Sequence, residues 1–158
     1  MHQSSRRPRF TVACVLAILI CLAGRANAVE PPSTVALQEL VNSLSLELGV
    51  DSTISIEMVP TNSLLVSVEP IAGKPGTFRM AFDQGFLPSL DHDELKAIVA
   101  HELGHVWIYT HHPYLQTELL ANTVAMRAVP RASLERVYSK VWDHQGTKGD
   151  LARFLGPE

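Results

Sequence analysis

Residues 97–108 read Ala-Ile-Val-Ala-His-Glu-Leu-Gly-His-Val-Trp-Ile, and the prediction of the fold begins from them. The segment is apolar nearly all round, which is typical of a helix buried at the centre of a domain. His101, Glu102 and His105 are its only titratable side chains. The two histidines are four positions apart, about one helical turn, so both imidazoles project from one face and can bind one tetrahedral metal ion. The segment therefore predicts a buried central helix with a metal site.

Glu102 lies about 100° round the helix from His101, at the edge of the face that the histidines share. From there its carboxylate can reach a water molecule on the metal without being a ligand. His-Glu-x-x-His on a helix is the motif of zinc metallopeptidases, in which the Glu acts as the general base. Buried without partners, three such polar side chains would each cost about 1–3 kcal/mol, and a metal ion relieves that cost. We therefore interpret the three residues as a metal site.

A third protein ligand is expected on the helix that follows. The central helix should end near Thr110, because Pro113 blocks its continuation. His105 and Glu118 then lie six to seven residues from the centre of the turn, on opposite sides. In antiparallel helices joined by a short loop such positions are neighbours, each about 9–10 Å along its helix at 1.5 Å per residue. This predicts Glu118 as the third ligand, and it places Asn122, one turn later, to hydrogen-bond the free ring nitrogen of a ligating histidine.

The remaining patterns predict an α+β domain. A helix is expected from an N-cap at Ser33 to Leu48, where Gly49 ends it. Alternating apolar residues then predict three short strands, and the tight turns between them favour an antiparallel meander. The strands are expected at residues 54–58, 64–68 and 77–82, followed by helices at residues 91–110, 114–129 and 133–143 and a last turn at 151–155. The prediction is a small antiparallel sheet packed on the central helix and on the helix that carries Glu118.

The first 28 residues do not look like part of this domain. They contain a basic stretch, a nearly pure apolar stretch and a small-x-small cleavage pattern, at Arg6 to Arg9, residues 11–23 and Ala26-Asn27-Ala28. We interpret residues 1–28 as a signal peptide and residues 29–158 as a secreted or periplasmic domain. The apolar stretch has about 13 residues where a spanning helix needs about 20, so no stable membrane span is expected after cleavage.

Charge and cysteine content bear on the class of partner and on the kind of zinc site. The chain has 13 Lys+Arg and 16 Asp+Glu; residues 1–28 hold four of the basic groups and no acidic one, so residues 29–158 carry 9 − 16 = −7. Nucleic acid is disfavoured as a partner, because a nucleic-acid binder needs a basic surface. Both cysteines, Cys14 and Cys21, precede residue 29. Zinc in the domain must then be held by histidine and carboxylate, the ligand set of a catalytic site.

The residues His101-Glu102-Leu103-Gly104-His105, followed by Glu118-Leu-Leu-Ala-Asn122, resemble the gluzincin metallopeptidases of the thermolysin-like clan, and most of all their small single-domain members. The resemblance covers about residues 78–129 and implies a zincin-like fold with Zn²⁺ on His101, His105 and Glu118, and Glu102 as general base. It also implies that the strand from residue 78 to 82 is the edge with which an extended substrate pairs. The chain departs from the family in having Asn122 where Asp is usual, which removes a charge beside a metal ligand.

Two alternatives for the site stay open in the sequence. His111 follows His105 by six residues, the spacing of the third histidine of metzincins, although Ile108 stands where that motif needs Gly. The donor that stabilises the oxyanion is one of several candidates: Tyr109, Tyr114, Tyr138, His111, His112 and His144.

Two functions remain as well. The expected function is hydrolysis of a peptide or protein substrate by a metal-activated water. The alternative is a catalytically inactive zincin-fold protein that binds a metal or a partner. The presence of Glu102 favours the enzyme, because a structural zinc ion needs ligands but has no use for a general base beside them.

Overall fold

The computed structural model describes residues 32–157. They form helices, a three-stranded sheet and a short 3₁₀ turn in the order α1 (Thr34–Leu48), β1 (Thr53–Val59), β2 (Val66–Pro70), β3 (Thr77–Asp83), the 3₁₀ turn (Leu87–Ser89), α2 (His92–His111), α3 (Glu118–Ala125), α4 (Arg131–Gln145) and α5 (Leu151–Leu155). The predicted α+β class is confirmed. The predicted signal peptide lies outside the described residues. Within residues 32–157, no helix combines the length and apolar character needed to cross a bilayer.

The sheet differs from the predicted antiparallel meander. Its strand order is β1-β3-β2, with β2 antiparallel to β3 but β1 parallel to it. The predicted antiparallel arrangement is therefore wrong for one of the two strand pairs, and β3 is the central strand. Phe78, Met80 and Phe82 of β3 are all at most 2% exposed, as expected for the most enclosed strand. Alternating hydrophobicity shows which face of a strand is buried, but it carries no information about which strands are neighbours.

Helix α2 is the predicted central helix. It begins with a capping box, in which the Asp91 side chain accepts from the Glu94 N–H and the Glu94 side chain accepts from the Asp91 N–H. The helix packs against α1, α3, α4 and β2. Its buried side chains include Leu103 and Val106, both of which are fully enclosed. The hydrophobic core therefore holds the metal-site motif in a fixed orientation.

Helix α3 is shorter than predicted. It starts at Glu118, because the Thr117 side chain accepts from the Leu120 N–H and caps the helix there, four residues later than expected. Residues 112–117 form an exposed loop instead. The chain leaves α3 after Ala125, well before Pro130. The predicted helix over residues 114–129 is therefore wrong at both ends. Apolar periodicity does not show at which residue of a helical stretch a cap begins the helix.

Helices α2 and α3 approach each other closely at Gly104. A Cβ atom at this position would lie 2.3 Å from the carbonyl oxygen of Ala121, and backbone atoms cannot move aside as a flexible side chain can. Glycine therefore permits a helix contact that any other residue would prevent. This contact sets Glu118 and Asn122 of α3 beside the histidine-bearing face of α2.

Candidate metal centre

Three side chains converge at the face of α2 that points towards the start of α3. The Nε2 atoms of His101 and His105 are 3.2 Å apart. The carboxylate of Glu118 completes the group: Oε2 is 3.3 Å from Nε2 of His101, and Oε1 is 3.5 Å from Nε2 of His105. These are the three residues that the sequence predicts as ligands, and together they form a group with the composition and spacing of a metal site.

The separations between these atoms fit a zinc ion. Zinc binds histidine nitrogen and carboxylate oxygen at about 2.0–2.2 Å with tetrahedral geometry, which sets neighbouring donor atoms about 3.3–3.6 Å apart. The three separations observed are 3.2, 3.3 and 3.5 Å. The neighbouring imidazoles also hold the pKa of Glu118 well below its usual range, so this carboxylate stays charged. The geometry and the charge of the donor set both suit a divalent cation.

Asn122 lies fully buried beneath this group. Its Nδ2 donates to the carbonyl oxygen of Phe154 at 2.9 Å and to Oη of Tyr138 at 2.7 Å. Because a carbonyl oxygen only accepts, the contact with Phe154 fixes which way the amide faces, and Oδ1 then points at Nδ1 of His101, 2.8 Å away. In the neutral imidazole Nδ1 consequently carries the hydrogen, and Nε2 presents its lone pair to the metal site. The structure places Asn122 at the predicted position.

Glu102 lies beside the three ligands without belonging to the group. Its side chain is buried, and burial raises the pKa of the carboxyl, while His101 and His105 act in the opposite direction. The backbone N–H of Val68 in β2 also stabilises the charged form. A carboxyl group in such surroundings is suited to accept a proton and to release it again.

These residues line a cleft of about 620 Å³. Its polar end holds His101, Glu102, His105 and Glu118. Most of the remaining lining is apolar and comes from β2, α4 and α5: Val66, Val68, Leu134, Val137, Val141, Trp142 and Phe154, with Leu64 at the rim. The Glu118 side chain is 47% exposed, so the polar end is open to solvent. A substrate can therefore reach the metal site while apolar groups cover its flanks.

The strand whose edge lies beside the cleft is β2. The resemblance implies β3 as the edge that pairs with substrate, and this expectation is wrong. Both sides of β3 are occupied by neighbouring strands, so its backbone has no open side for a substrate. The ladder between β2 and β3 uses alternate residues, as shown by the bond from Asp83 N–H to the Leu65 carbonyl. Val66 and Val68 consequently direct backbone groups away from β3. The open edge next to the metal site is that of β2.

Among the candidate oxyanion donors, the structure brings Tyr138 of α4 to the site. Its Oη is 3.4 Å from Oε2 of Glu118, and its ring meets the His101 ring edge-on with centroids 6.1 Å apart. Tyr109 lines the cleft as well, but its ring packs on Phe78. The other four candidates are outside the residues that line the cleft in the described part of the chain: Tyr114, His111, His112 and His144.

His111 does not take part in the candidate metal site. Its ring stacks on that of Trp107 with centroids 4.4 Å apart, and its Nδ1 is 2.9 Å from the Trp107 carbonyl oxygen. Helix α2 continues through Ile108 to His111, as expected without the helix-breaking glycine of metzincins. The geometry therefore favours Glu118 over His111 as the third ligand.

Two residues at the site were not predicted. Oε1 of Gln116 is 3.3 Å from Nδ1 of His105, and Nε2 of Gln116 donates to the His105 carbonyl at 3.3 Å. The carbonyl of Phe154 accepts from Asn122, 32 positions earlier in the chain. Neither contact follows a helical or strand period, so the sequence offered no signal for them.

Comparisons with known proteins point to one family of peptidases. Residues 71–154 match the family described as Peptidase family M48. A protease HtpX homolog from Thermococcus sibiricus is 34% identical over 82 residues, which are 52% of this chain but only 27% of that protein, so the match spans about a quarter of the relative. The crystal structure of the metallopeptidase zymogen of Pyrococcus abyssi abylysin covers 72% of this chain and 99% of its own, with a TM-score of 0.50 and 16% identity, which shows a similar fold.

Proposed function

Since the chain belongs to peptidase family M48, a family of zinc-dependent metallopeptidases, we propose that it hydrolyses peptide bonds with one zinc ion at the site described above. The family membership confirms the resemblance to gluzincin metallopeptidases. His101, His105 and Glu118 are proposed as the ligands and Glu102 as the general base. The observation that carries the proposal is the convergence of three donor groups at zinc-like separations next to a buried carboxyl.

The proposed mechanism assigns the proton transfers to Glu102. When bound at this site, zinc would polarise the scissile carbonyl and lower the pKa of the attacking water. Glu102 accepts a proton from that water as the water oxygen bonds to the carbonyl carbon. When the C–N bond breaks, Glu102 delivers the proton to the leaving nitrogen. The products are an amine and a carboxylic acid, which loses the second proton of the water to solvent, and Glu102 returns to its charged state.

The surroundings of the site support an extended peptide as the substrate. The carbonyl oxygens of Val66 and Val68 face away from β3 and can accept hydrogen bonds from such a peptide. The N–H groups of these two residues already donate, that of Val66 to the Leu64 carbonyl and that of Val68 to Glu102. The wall that α4 contributes to the cleft is largely apolar and includes Val137 and Trp142. A bulky apolar side chain next to the scissile bond would displace water from this wall, which favours its binding. We therefore propose peptides or proteins with apolar residues at the cleavage position as the substrate class.

Export of the chain is a further part of the proposal. It is supported by the sequence pattern of residues 1–28, in which a basic stretch, an apolar stretch and Ala-Asn-Ala follow one another. On this interpretation the domain from residue 29 acts outside the cytoplasm. Substitution of Ala26 and Ala28, the small residues of the cleavage pattern, would test the predicted export most directly.

Removal and return of the metal tests the proposed activity. The purified chain is expected to cleave an unfolded protein substrate, to lose this activity completely on chelation and to regain it with about one equivalent of Zn²⁺. Mass spectrometry of the fragments should show bulky apolar residues next to the cleaved bonds. Hydrolysis that survives complete removal of zinc would contradict the mechanism. A zinc-loaded chain that cleaves no peptide would instead favour the catalytically inactive alternative.

A further inference from the structure

We propose that Tyr138 is a catalytic residue that donates its hydroxyl hydrogen to the oxyanion formed during hydrolysis, and that Asn122 directs this hydrogen into the cleft. The inference rests on the proposed peptidase function and adds to it the donor that the His-Glu-x-x-His motif does not supply. It also gives a reason for an amide at position 122, where the gluzincin resemblance leads one to expect Asp.

The hydroxyl of Tyr138 lies beside the candidate metal site. Oη lies 3.4 Å from Oε2 of Glu118, a proposed zinc ligand, and is thus beside the site where the scissile carbonyl would bind. The ring is held by aromatic neighbours, with centroids 5.5 Å from that of Trp142 and 5.0 Å from that of Phe154. Tyr138 also lines the cleft. Its hydroxyl is therefore placed in advance, as an oxyanion donor must be.

Helix α4, which carries Tyr138, is anchored to the helix that carries the histidines. Lys140 of α4 donates to Oε2 of Glu94 at 2.5 Å, and the Glu94 side chain is only 3% exposed. Glu94 is in turn part of the capping box at the start of α2. This partly buried ion pair ties α4 to α2, so the distance between the Tyr138 hydroxyl and the metal ligands is set by the fold.

The hydroxyl hydrogen of Tyr138 points away from Asn122. Nδ2 of Asn122 has two hydrogens, which it donates to the Phe154 carbonyl and to Oη of Tyr138. The Tyr138 oxygen is thus an acceptor on the side of Asn122, and its own hydrogen has to point elsewhere. The acceptor on the cleft side is Glu118, at the long distance of 3.4 Å. A hydrogen held by so weak a bond is available to a better acceptor, which a developing oxyanion is.

An Asp at position 122 would change the direction of this hydrogen. A carboxylate there has no hydrogen to donate, so it would accept from Tyr138 and turn the hydroxyl hydrogen away from the cleft. It would also face the Phe154 carbonyl oxygen, and two acceptors repel each other. With Tyr138 in this position the amide serves the site better than the acid, because it accepts from His101 and donates to Tyr138 at the same time.

A purely structural role for Tyr138 makes a different prediction. If the hydroxyl only oriented Glu118, its removal would weaken zinc binding and leave the zinc-loaded protein active. If it stabilises the oxyanion, its removal would lower kcat and the affinity for a mimic of the tetrahedral intermediate, with zinc still bound. The two roles can therefore be separated by measuring zinc content and turnover on the same sample.

The test compares Tyr138→Phe with wild type in the full, zinc-loaded chain. We expect kcat to fall about 100-fold, with KM changed by less than about threefold and zinc content unchanged. The affinity for a phosphinic peptide, which mimics the tetrahedral intermediate, should fall by the same factor as kcat/KM. Tyr114→Phe, which makes the same chemical change on a tyrosine that is 98% exposed, should match wild type in every assay.

Asn122→Asp supplies an independent measurement. It should lower kcat by a factor similar to that of Tyr138→Phe, and the double variant should lose little more than either single variant, because both act through one hydrogen bond. Thermal unfolding of each variant shows whether it is folded under assay conditions. Additive losses in the double variant would contradict the claim that Asn122 acts through Tyr138.

The outcomes separate this inference from the proposed function. If Glu102→Gln abolishes hydrolysis but Tyr138→Phe keeps kcat within about threefold of wild type, the inference on Tyr138 is wrong and the peptidase function stands. If Tyr138→Phe loses zinc and regains wild-type kcat when zinc is restored, the residue only orients Glu118. If wild type shows no hydrolysis that depends on Glu102, the proposed function and the inference both fail.

Discussion

Replacing Glu102 by glutamine is expected to abolish peptide hydrolysis, with kcat lower by about 1000-fold, while the chain still binds about one zinc ion. Glutamine keeps the shape of the side chain and can still accept a hydrogen bond from the Val68 N–H. It cannot take a proton from the attacking water. Zinc is retained because Glu102 lies outside the group formed by His101, His105 and Glu118. Turnover of a quenched fluorescent peptide and metal analysis of the same sample measure both quantities.

The matched control for this change is Glu39→Gln on the exposed face of α1, which should leave turnover and zinc content at wild-type values. Unchanged hydrolysis in Glu102→Gln would rule out this residue as the general base. Loss of zinc from Glu102→Gln would show instead that the carboxylate is itself a ligand. Either result would require a different assignment of roles on α2.

Replacing Gly104 by alanine is expected to destabilise the fold by about 2–3 kcal/mol and to weaken zinc binding. The new Cβ would lie 2.3 Å from the Ala121 carbonyl oxygen, so α2 and α3 must move apart. This movement would withdraw Glu118 and Asn122 from the histidines. Alanine favours an isolated helix by about 1 kcal/mol over glycine, so a net loss would show that the contact between helices dominates.

Urea denaturation of the metal-free protein measures the stability change, and zinc titration measures the change in affinity. Gly104→Val should have a larger effect than Gly104→Ala in both measurements, because its side chain extends further into α3. Wild-type stability and wild-type zinc affinity in Gly104→Ala would contradict the close approach of the two helices.

The residues of α2 could be predicted because one helix fixes their arrangement. The period of 3.6 residues places His101 and His105 on one face and Glu102 at its edge, whatever the rest of the chain does. The capping box at Asp91 is equally local. Predictions of this kind need only the sequence of a few turns, and the structure agrees with them.

Glu118 was predicted from an argument that is only partly correct. The predicted helix began near residue 114 and ran antiparallel to α2, whereas α3 begins at Glu118 itself. The residue still reaches the histidines, because Gly104 lets α3 cross α2 at close range. The short loop correctly indicates that α2 and α3 are neighbours. The position of Glu118 beside the histidines depends on the backbone contact at Gly104, which loop length does not reveal.

Non-local contacts account for what the sequence did not predict. The parallel pairing of β1 with β3 joins strands that are separated by β2 along the chain, and strand alternation is the same for either order. The resemblance to gluzincins implies β3 as the edge that binds substrate, whereas this pairing makes β3 the central strand. The bond between Asn122 and the Phe154 carbonyl links positions 32 residues apart. Such contacts depend on how whole elements pack, which no short pattern encodes.

The zinc content of Glu118→Ala, compared with wild type and His111→Ala after dialysis against trace-metal buffer, tests the proposed ligand set most directly. We predict about one zinc ion per chain in wild type and in His111→Ala, since the His111 ring stacks on Trp107 away from the site, and none in Glu118→Ala. Zinc retained by Glu118→Ala, or lost only from His111→Ala, would contradict the assignment of His101, His105 and Glu118 as the metal centre.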